Sequence, residues 1–468
     1  MRGFQKTVFC MQQVGAFFAP EQPIYIARAP GRLDLMGGNV DYTGGLVFES
    51  TIREATWAAA QLRDDTQIAF LNPQMRERGW REEVRFDLSQ LTGDAEVRAL
   101  VNAEPSVRWT AYVLGVIHLL KRRYPKRVAS GVAVYLESEV PLNKGVSSSA
   151  AVEVAVMKSA ARAYGIEIKG IELAEACQWV ENVIAESACG IMDQATSVLG
   201  DEGHLLPLLC QPGRVYPLVK LPVALECWGI DSGVTHEVSG LEYEAARAAA
   251  FMGYKFITKW EDLPVTLDES GTIPRYVEPR FSGYLSNLSP SEYRAKFDWR
   301  LPEIMTGPDF LAQADSHMDP FTQVREGVTY RIRHCTRYAV EENARIQTFV
   351  ELARGASVTE SEAAFLLMGD LMYQSHWSYT ECGLGSRATD SIVDLVREEG
   401  PANGLYGAKI TGGGAGGTVA VLGHRDAGEA FSRVVARYGK PRGFDPYIFE
   451  GSSMGSDRFG IVTLGACL

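Results

Sequence analysis

The 468-residue chain is long enough for two ordinary domains, and 22% charged with 46% hydrophobic residues marks it as globular, which excludes long disorder. A formal charge of −12 without any lysine- or arginine-rich run excludes nucleic-acid binding by bulk electrostatics, although backbone amides and a metal ion can hold a nucleotide in an acidic protein. The eight cysteines are scattered with no CxxC pair, so they read as reduced thiols of a cytoplasmic protein and not as a zinc site. Arg2 and Lys6 precede a broken apolar stretch that does not form a signal peptide, and no apolar run is long enough to cross a bilayer.

In chain order, "IYIARA" (24–29) alternates like a strand and meets Pro30–Gly31, which predicts a tight turn. "SGVAVYLES" (130–138) predicts another strand. Residues 149–164 follow as a helix apolar on most sides, hence buried, and Gly165 ends it. "VALECWGID" (223–231) reads as a strand. Prolines recur through 255–330 with weak periodicity, so this stretch is expected to be an irregular insertion ordered by its aromatic residues. Helical patterns occupy 329–353 and 360–378. "GAKITGGGAGGTVAVLG" (407–423) predicts two short strands around a glycine loop, and Phe431, Val434, Val435 and Tyr438 then recur at helical spacing. Strands alternating with helices in both halves give an α/β (α+β) protein of two domains, residues 1–230 and 231–468.

Three loops carry candidate chemistry. In "PLNKGVSSSAA" (141–151) a glycine and small polar residues separate a strand from a helix. Free amides at a helix start cradle anions, so Gly145, Val146, Ser147, Ser148 and Ser149 form a phosphate-cradle candidate, with Lys144 available to neutralise charge. The loop lacks the GK[ST] ending of a Walker A motif, and the same serines would also serve as a plain helix cap. In "RAPGRLDLMGGNVDYTGG" (28–45), Arg32, Asp34 and Asp41 stand among glycines, a pattern suited to sugar hydroxyls and equally to a glycine turn with solvated charges. In "TGGGAGGT" (411–418) glycines dominate, and close approach to a phosphate or to the serine loop would explain them. Glu181 and Asp193, in "CQWVENVIAESACGIMDQ" (177–194), are two carboxylates able to serve one site as metal ligand and base. A surface glutamate and a capping aspartate would look the same.

Taken in this order, the three loops resemble the signature motifs of the GHMP small-molecule kinases, and within them the galactokinase branch. Its pattern includes APGR-x-N-L-I-G-E-H-x-D-Y, a P-x-G-x-G-L-S-S-S-A loop, C-G-I-M-D-Q and T-G-G-G-x-G-G. "DSGVTHEVSGLEY" (231–243) resembles its sugar-binding stretch. The resemblance implies a two-domain GHMP kinase fold, with an N-terminal α/β domain, a C-terminal ferredoxin-like domain and the active site in the cleft between them. It implies ATP and magnesium as cofactors and a sugar as substrate. It implies Asp193 as base and Arg32 as its partner, Ser149 and Glu181 as magnesium ligands, and the serine loop with Gly413 and Gly414 around ATP. Arg32, Asp34, Gly38, Asn39, Asp41, Gly190, Asp193 and Tyr243 would surround the sugar.

The departures bear on substrate. Where galactokinases have Glu-His this chain has Gly38 and Asn39, and their asparagine after the arginine is Asp34. In that family the glutamate is taken to hold the hydroxyl on the sixth carbon, and L-arabinopyranose has the galactose ring without that carbon. "RAPGRLDLMGG" and "CGLGS" (382–386) also resemble the kinase domain of plant L-arabinokinases. The expectation is an L-arabinose 1-kinase. The alternatives are a galactokinase or a kinase of another galacto-configured sugar, a uronic acid kinase, and a non-catalytic sugar sensor, against which the intact "GVSSSAA" argues. Monomer and dimer both remain open.

Overall fold

The computed structural model describes residues 2–13, 15–235 and 240–465. Of the sugar-binding stretch 231–243, residues 236–239 lie outside the described residues, as does Cys467. The seven described cysteines are all unbonded.

The first sheet is built from β1 (Ile24–Met36), β2 (Leu46–Leu62), β3 (Gln67–Leu71), β4 (Glu83–Asp87), β5 (Val132–Ser138) and β6 (His204–Leu209). They run in the order β1-β2-β5-β3-β4, with β6 joining the first part of β2. Every pairing is antiparallel except β3 with β5. The turn expected at Pro30–Gly31 is absent. β1 continues to Met36, and a register shift between Pro30 and Arg32 accommodates the proline's missing N–H. Gly31 is required there because a Cβ would lie 2.6 Å from the Val146 carbonyl oxygen.

The second sheet has β7 (Leu225–Asp231), β8 (Leu405–Ile410), β9 (Thr418–His424) and β10 (Ile448–Glu450) in the order β8-β9-β7-β10, all antiparallel. The boundary expected after residue 230 falls inside β7, and the whole strand pairs in this second sheet. The chain then returns, and β11 (Val462–Leu464) lies along the edge of β1. Along β9, Val419 and Val421 face the core of the second sheet, whereas Ala420 and Leu422 face the main core, so the two-residue period of a strand joins the sheets.

Helices cover these layers: α1 (Arg2–Gln13), α2 (Ala111–Arg123), α3 (Ser148–Ala163), α4 (Gly170–Trp179), α5 (Met192–Leu199), α6 (Leu241–Trp260), α7 (Ile332–Thr359), α8 (Glu362–Glu381), α9 (Arg387–Glu399) and α10 (Gly428–Gly439). α3 is buried nearly all round, as its sequence predicts, against β1 and β2. Ile392, Val393 and Val396 of α9, with Phe431 and Val434 of α10, pack on the second sheet. The stretch after α6 is irregular, with two short antiparallel strand pairs, Thr266–Asp268 with Arg275–Val277 and Met305–Thr306 with Thr329–Tyr330. Aromatic residues order it as expected: Phe297 and Phe310 are fully buried, and Trp260 stacks between Phe256 and Phe297. No helix of the described residues is long and apolar enough to cross a membrane.

Candidate active site

Arg32, on β1 just past the register shift, is the joint of the site. Its backbone N–H donates to the Val146 carbonyl at 3.1 Å and its Nη1 to the Gly145 carbonyl at 2.6 Å. Its Nε and Nη2 lie 2.9 and 2.8 Å from Asp193 Oδ1. Burial alone would lower the Arg32 pKa, but Asp193, Glu49 and Asp34 raise it, so the guanidinium is a fixed cation. Asp193 stands in the first turn of α5, and α5 is moored to β1 through Ser197 Oγ, which donates to the Pro30 carbonyl. A carboxylate aimed by a buried arginine can orient a hydroxyl and accept its proton.

The serine loop enters α3 through Ser147, whose φ of +61° is left-handed. Among the described residues no side chain caps this helix, and the buried Ser147 Oγ has no hydrogen-bond partner. A positive helix end without a side-chain cap, beside an orphaned hydroxyl, fits a phosphate-bearing ligand. The glycine loop packs against it: a Cβ at Gly417 would lie 2.9 Å from the Lys144 carbonyl oxygen, and one at Gly412 2.7 Å from that of Gly145. "CGLGS" supports the glycine loop from below, since Ala415 N–H donates to the Leu384 carbonyl and a Cβ at Gly414 would strike Leu384. Lys144 departs from expectation. Its Nζ pairs with Asp231 of β7 at 2.7 Å, so this lysine ties the serine loop to the second sheet and its charge is already matched.

Glu181 lies where α4 widens into a π-helical turn, Val180–Ile184, a feature frequent at functional sites. The Ser149 hydroxyl is near enough to the Glu181 carboxyl to favour its ionised form, so the two expected metal ligands face one another. Burial first, then Asp193, pushes Glu181 up to about 7. Glu153, one turn beyond Ser149 on α3, is fully buried, and Gln194 Nε2 bridges it to Glu181 at 3.2 and 2.6 Å. Glu153 Oε1 has no partner. Buried carboxyls short of compensating charge, with a serine hydroxyl beside them, are a hard-oxygen donor set of the kind magnesium takes. Glu153 escaped the sequence analysis, although a lone carboxylate in "AAVEVAVM" at i+4 from Ser149 was its signal.

Asp41 follows the glycine turn of the first loop. Its Oδ1 accepts from Tyr42 N–H at 2.9 Å and its Oδ2 from Met192 N–H at 3.3 Å. Burial and Asp193 raise it to about 6. Gly190 is required beside it, because a Cβ there would lie 1.9 Å from Asp41 Oδ2. Both line a cavity of about 470 Å³ whose far wall comes from the insertion, including Thr272, Tyr276 and Asp319. Tyr243 starts α6 and packs edge-on to Tyr42, with ring centroids 6.2 Å apart. One turn on, the buried Arg247 also lines this cavity. Its Nε and Nη2 hold Asp319 at 2.7 and 3.0 Å. Nothing in the sequence marks this cation, and Asp319 already pairs with it.

Three expected sugar contacts are corrected. Asp34 is fully buried, with Oδ2 2.8 Å from Lys409 Nζ, so it belongs to the wall. Gly38 leaves no open space: a Cβ would lie 1.9 Å from Tyr379 Oη and 2.3 Å from Asp34 Oδ2. Asn39, at φ +60°, sends its amide to the Gly413 carbonyl at 3.4 Å and ties the first loop to the glycine loop. Tyr379, which fills this space, and Lys409, which holds Asp34, carry no motif in the sequence.

The chain matches the GHMP kinases N terminal domain over residues 111–201, the galactokinase galactose-binding signature over 15–62 and the GHMP kinases C terminal model over 361–441. It is similar to L-arabinokinase of Arabidopsis thaliana, 37% identical over 98% of this chain, and it spans about half (48%) of that protein's length. It is 30% identical to the galactokinase of Chloroflexus aurantiacus, covering 87% of this chain and 86% of that one. Its fold matches the crystal structure of Lactococcus lactis galactokinase complexed with galactose, with a TM-score of 0.73 at 21% identity over 98% of this chain and 100% of that one. Methanococcus jannaschii mevalonate kinase shares the fold more distantly, with a TM-score of 0.54 at 15% identity over 92% and 98% of the two chains. The chain belongs to the GHMP kinase family, in its galactokinase-related branch.

Proposed function

We propose that the protein is a cytoplasmic ATP-dependent kinase that phosphorylates the anomeric hydroxyl of L-arabinose. The observation that carries the kinase reading is Asp193, held at 2.8–2.9 Å by buried Arg32 between the serine loop and the cavity of Asp41 and Gly190. Phosphoryl transfer is mostly positioning and charge stabilisation, and this set supplies both. Asp41, the Gly190 backbone and Tyr243 hold the ring. Asp193 orients the anomeric hydroxyl and takes its proton, and Arg32 keeps Asp193 in place and offsets charge on the transferring group. The amides of Gly145 to Ser149 cradle the phosphates, with Gly413 and Gly414 behind them. Ser149 and Glu181 would hold magnesium, which neutralises phosphate charge when bound.

The choice of L-arabinose rests on residue 38. A galactokinase-type glutamate has no room there, because Tyr379 and Asp34 occupy its space, so a hydroxymethyl group finds no glutamate to receive it. The likeness to L-arabinokinase supports the same choice. A uronic acid is disfavoured, since Arg247 already spends its charge on Asp319. ADP release with ATP, magnesium and L-arabinose, D-galactose, D-fucose or D-galacturonate tests this. The expected kcat/KM favours L-arabinose over D-galactose by about 10–200-fold, the discrimination available against an extra group. Equal or better use of galactose makes the protein a galactokinase, and sugar binding without ADP makes it a sensor.

A further inference from the structure

Behind Arg32 lies a second carboxyl pair that the proposed mechanism leaves unused. Asp34 on β1 and Glu49 on β2 are directly opposite in the strand register, so their side chains share one face. Both are wholly buried. Lys409 of β8 takes Asp34 Oδ2, yet Asp34 Oδ1 and both oxygens of Glu49 have no hydrogen-bond partner among the described residues. Glu49 Oε2 lies 3.6 Å from Arg32 Nε, the nitrogen that holds Asp193 at 2.9 Å.

Two opposed carboxylates with unpaired oxygens in a dry core are unstable, whereas one proton turns an orphan acceptor into a donor for the other. The charged groups facing the pair are Arg32 on β1, Lys409 on β8 and Asp193 on α5. Tyr379 of α8 and Tyr338 of α7 border Asp34, and their hydroxyls donate to the Gly412 and Gly38 carbonyls. Two cations face three carboxyls, and one proton on the pair balances them.

We propose that Asp34 and Glu49 share one proton behind Arg32, which makes Glu49 a positioning residue that sets how firmly Arg32 holds Asp193. While the proton stays, Arg32 turns to Asp193. When it leaves at alkaline pH, a full negative charge beside Nε draws the guanidinium back. Burial and the neighbouring Asp34 charge push the Glu49 carboxyl well up, so the protonated form is the one present near neutrality. The carboxamide of Glu49→Gln copies the protonated acid, with one donor toward Asp34 and one acceptor toward Arg32. Glu49→Leu keeps the bulk and removes both.

The inference rests on the kinase reading of Asp193 and Arg32, and two measurements separate the two ideas. The first is the infrared difference spectrum at neutral pH, wild type minus Glu49→Gln, in which the bands of Glu181 and Glu153 cancel and the wild type keeps a protonated-carboxyl band that Glu49→Gln lacks; this needs no turnover. Its absence from the wild type overturns the shared proton even if the enzyme is active. If the band is present and no sugar is phosphorylated, the kinase reading fails and the shared proton stands. The second is the pH–rate profile. Glu49→Leu lowers kcat by about 10–100-fold with sugar KM little changed, the scale of a displaced catalytic group. Glu49→Gln recovers most of kcat and loses the alkaline decline. Wild-type kcat in the leucine variant, equal losses in both variants, or an unchanged alkaline limb in Glu49→Gln overturns the proposal. If Glu49→Leu does not fold, the glutamine profile and the band decide it.

Discussion

Replacing Gly38 by alanine isolates the packing that sets this site apart. The φ of Gly38 is not in the left-handed region, so alanine meets no backbone strain, and the cost is purely steric. Its Cβ would arrive 1.9 Å from Tyr379 Oη and 2.3 Å from Asp34 Oδ2, so the phenol must move. That motion breaks its 2.8 Å hydrogen bond to the Gly412 carbonyl. Overpacking costs about 1–3 kcal/mol and a stranded buried carbonyl about 1–3 kcal/mol. Gly38→Ala should therefore lose about 2–6 kcal/mol. Tyr379→Phe alone strands the same carbonyl but creates no clash, about 1–3 kcal/mol. In the double variant the hydroxyl is gone when the methyl arrives, leaving only Asp34 to adjust. The double variant should be more stable than Gly38→Ala alone, with a coupling energy of about 1–3 kcal/mol by urea unfolding. Additive losses, or a Gly38→Ala protein as stable as the wild type, would refute this packing and reopen residue 38 as a sugar contact.

Asp193→Asn should fold and bind sugar but lose about 10²–10⁴-fold in kcat, the usual worth of positioned acid–base help; near-normal turnover in a coupled ADP assay would remove it from the reaction. Glu181 predicts a pH dependence of the metal-free protein. Its folded value of about 7 exceeds the ordinary 4.5, so the stability it contributes is present below pH 4.5 and is lost as pH rises toward 7, on the order of 3 kcal/mol. Thermal melts should show that decline, Glu181→Gln should flatten it, and magnesium should raise Tm more near pH 8 than near pH 5.5, because it binds the ionised carboxyl; an equal metal effect at both would displace Glu181 from the metal site.

The elements were legible because their signals are local. Alternation marks β5 and β7, glycines mark the loops, and an apolar sweep marks α3. β1 was cut short at Pro30 because the partner that carries the strand through its register shift, β2, is not visible from β1 alone. The candidate site divides the same way. Arg32, Asp41, Glu181, Gly190 and Asp193 stand in motifs and do converge. Tyr379, Lys409, Glu49 and Arg247 matter through what they touch across the fold, and a lone glutamate in "LVFESTI" or an arginine one turn after Tyr243 announces nothing about its neighbour.

Asp34 and Lys144 look like ligand contacts in the sequence for one reason: a charge in a glycine-rich loop looks available. Each is in fact matched by an opposite charge from the second sheet, Lys409 on β8 and Asp231 on β7, at 2.8 and 2.7 Å. Charges buried this way cost desolvation and add little net stability, so specificity of assembly is the stronger reason for them. Each pair closes only when the two sheets are in register. The same closure brings the glycine loop against the Gly145 carbonyl that Arg32 also uses. The ion pairs that take Asp34 and Lys144 away from the ligand are thus what hold Arg32, and through it Asp193, where a sugar hydroxyl and a phosphate can meet.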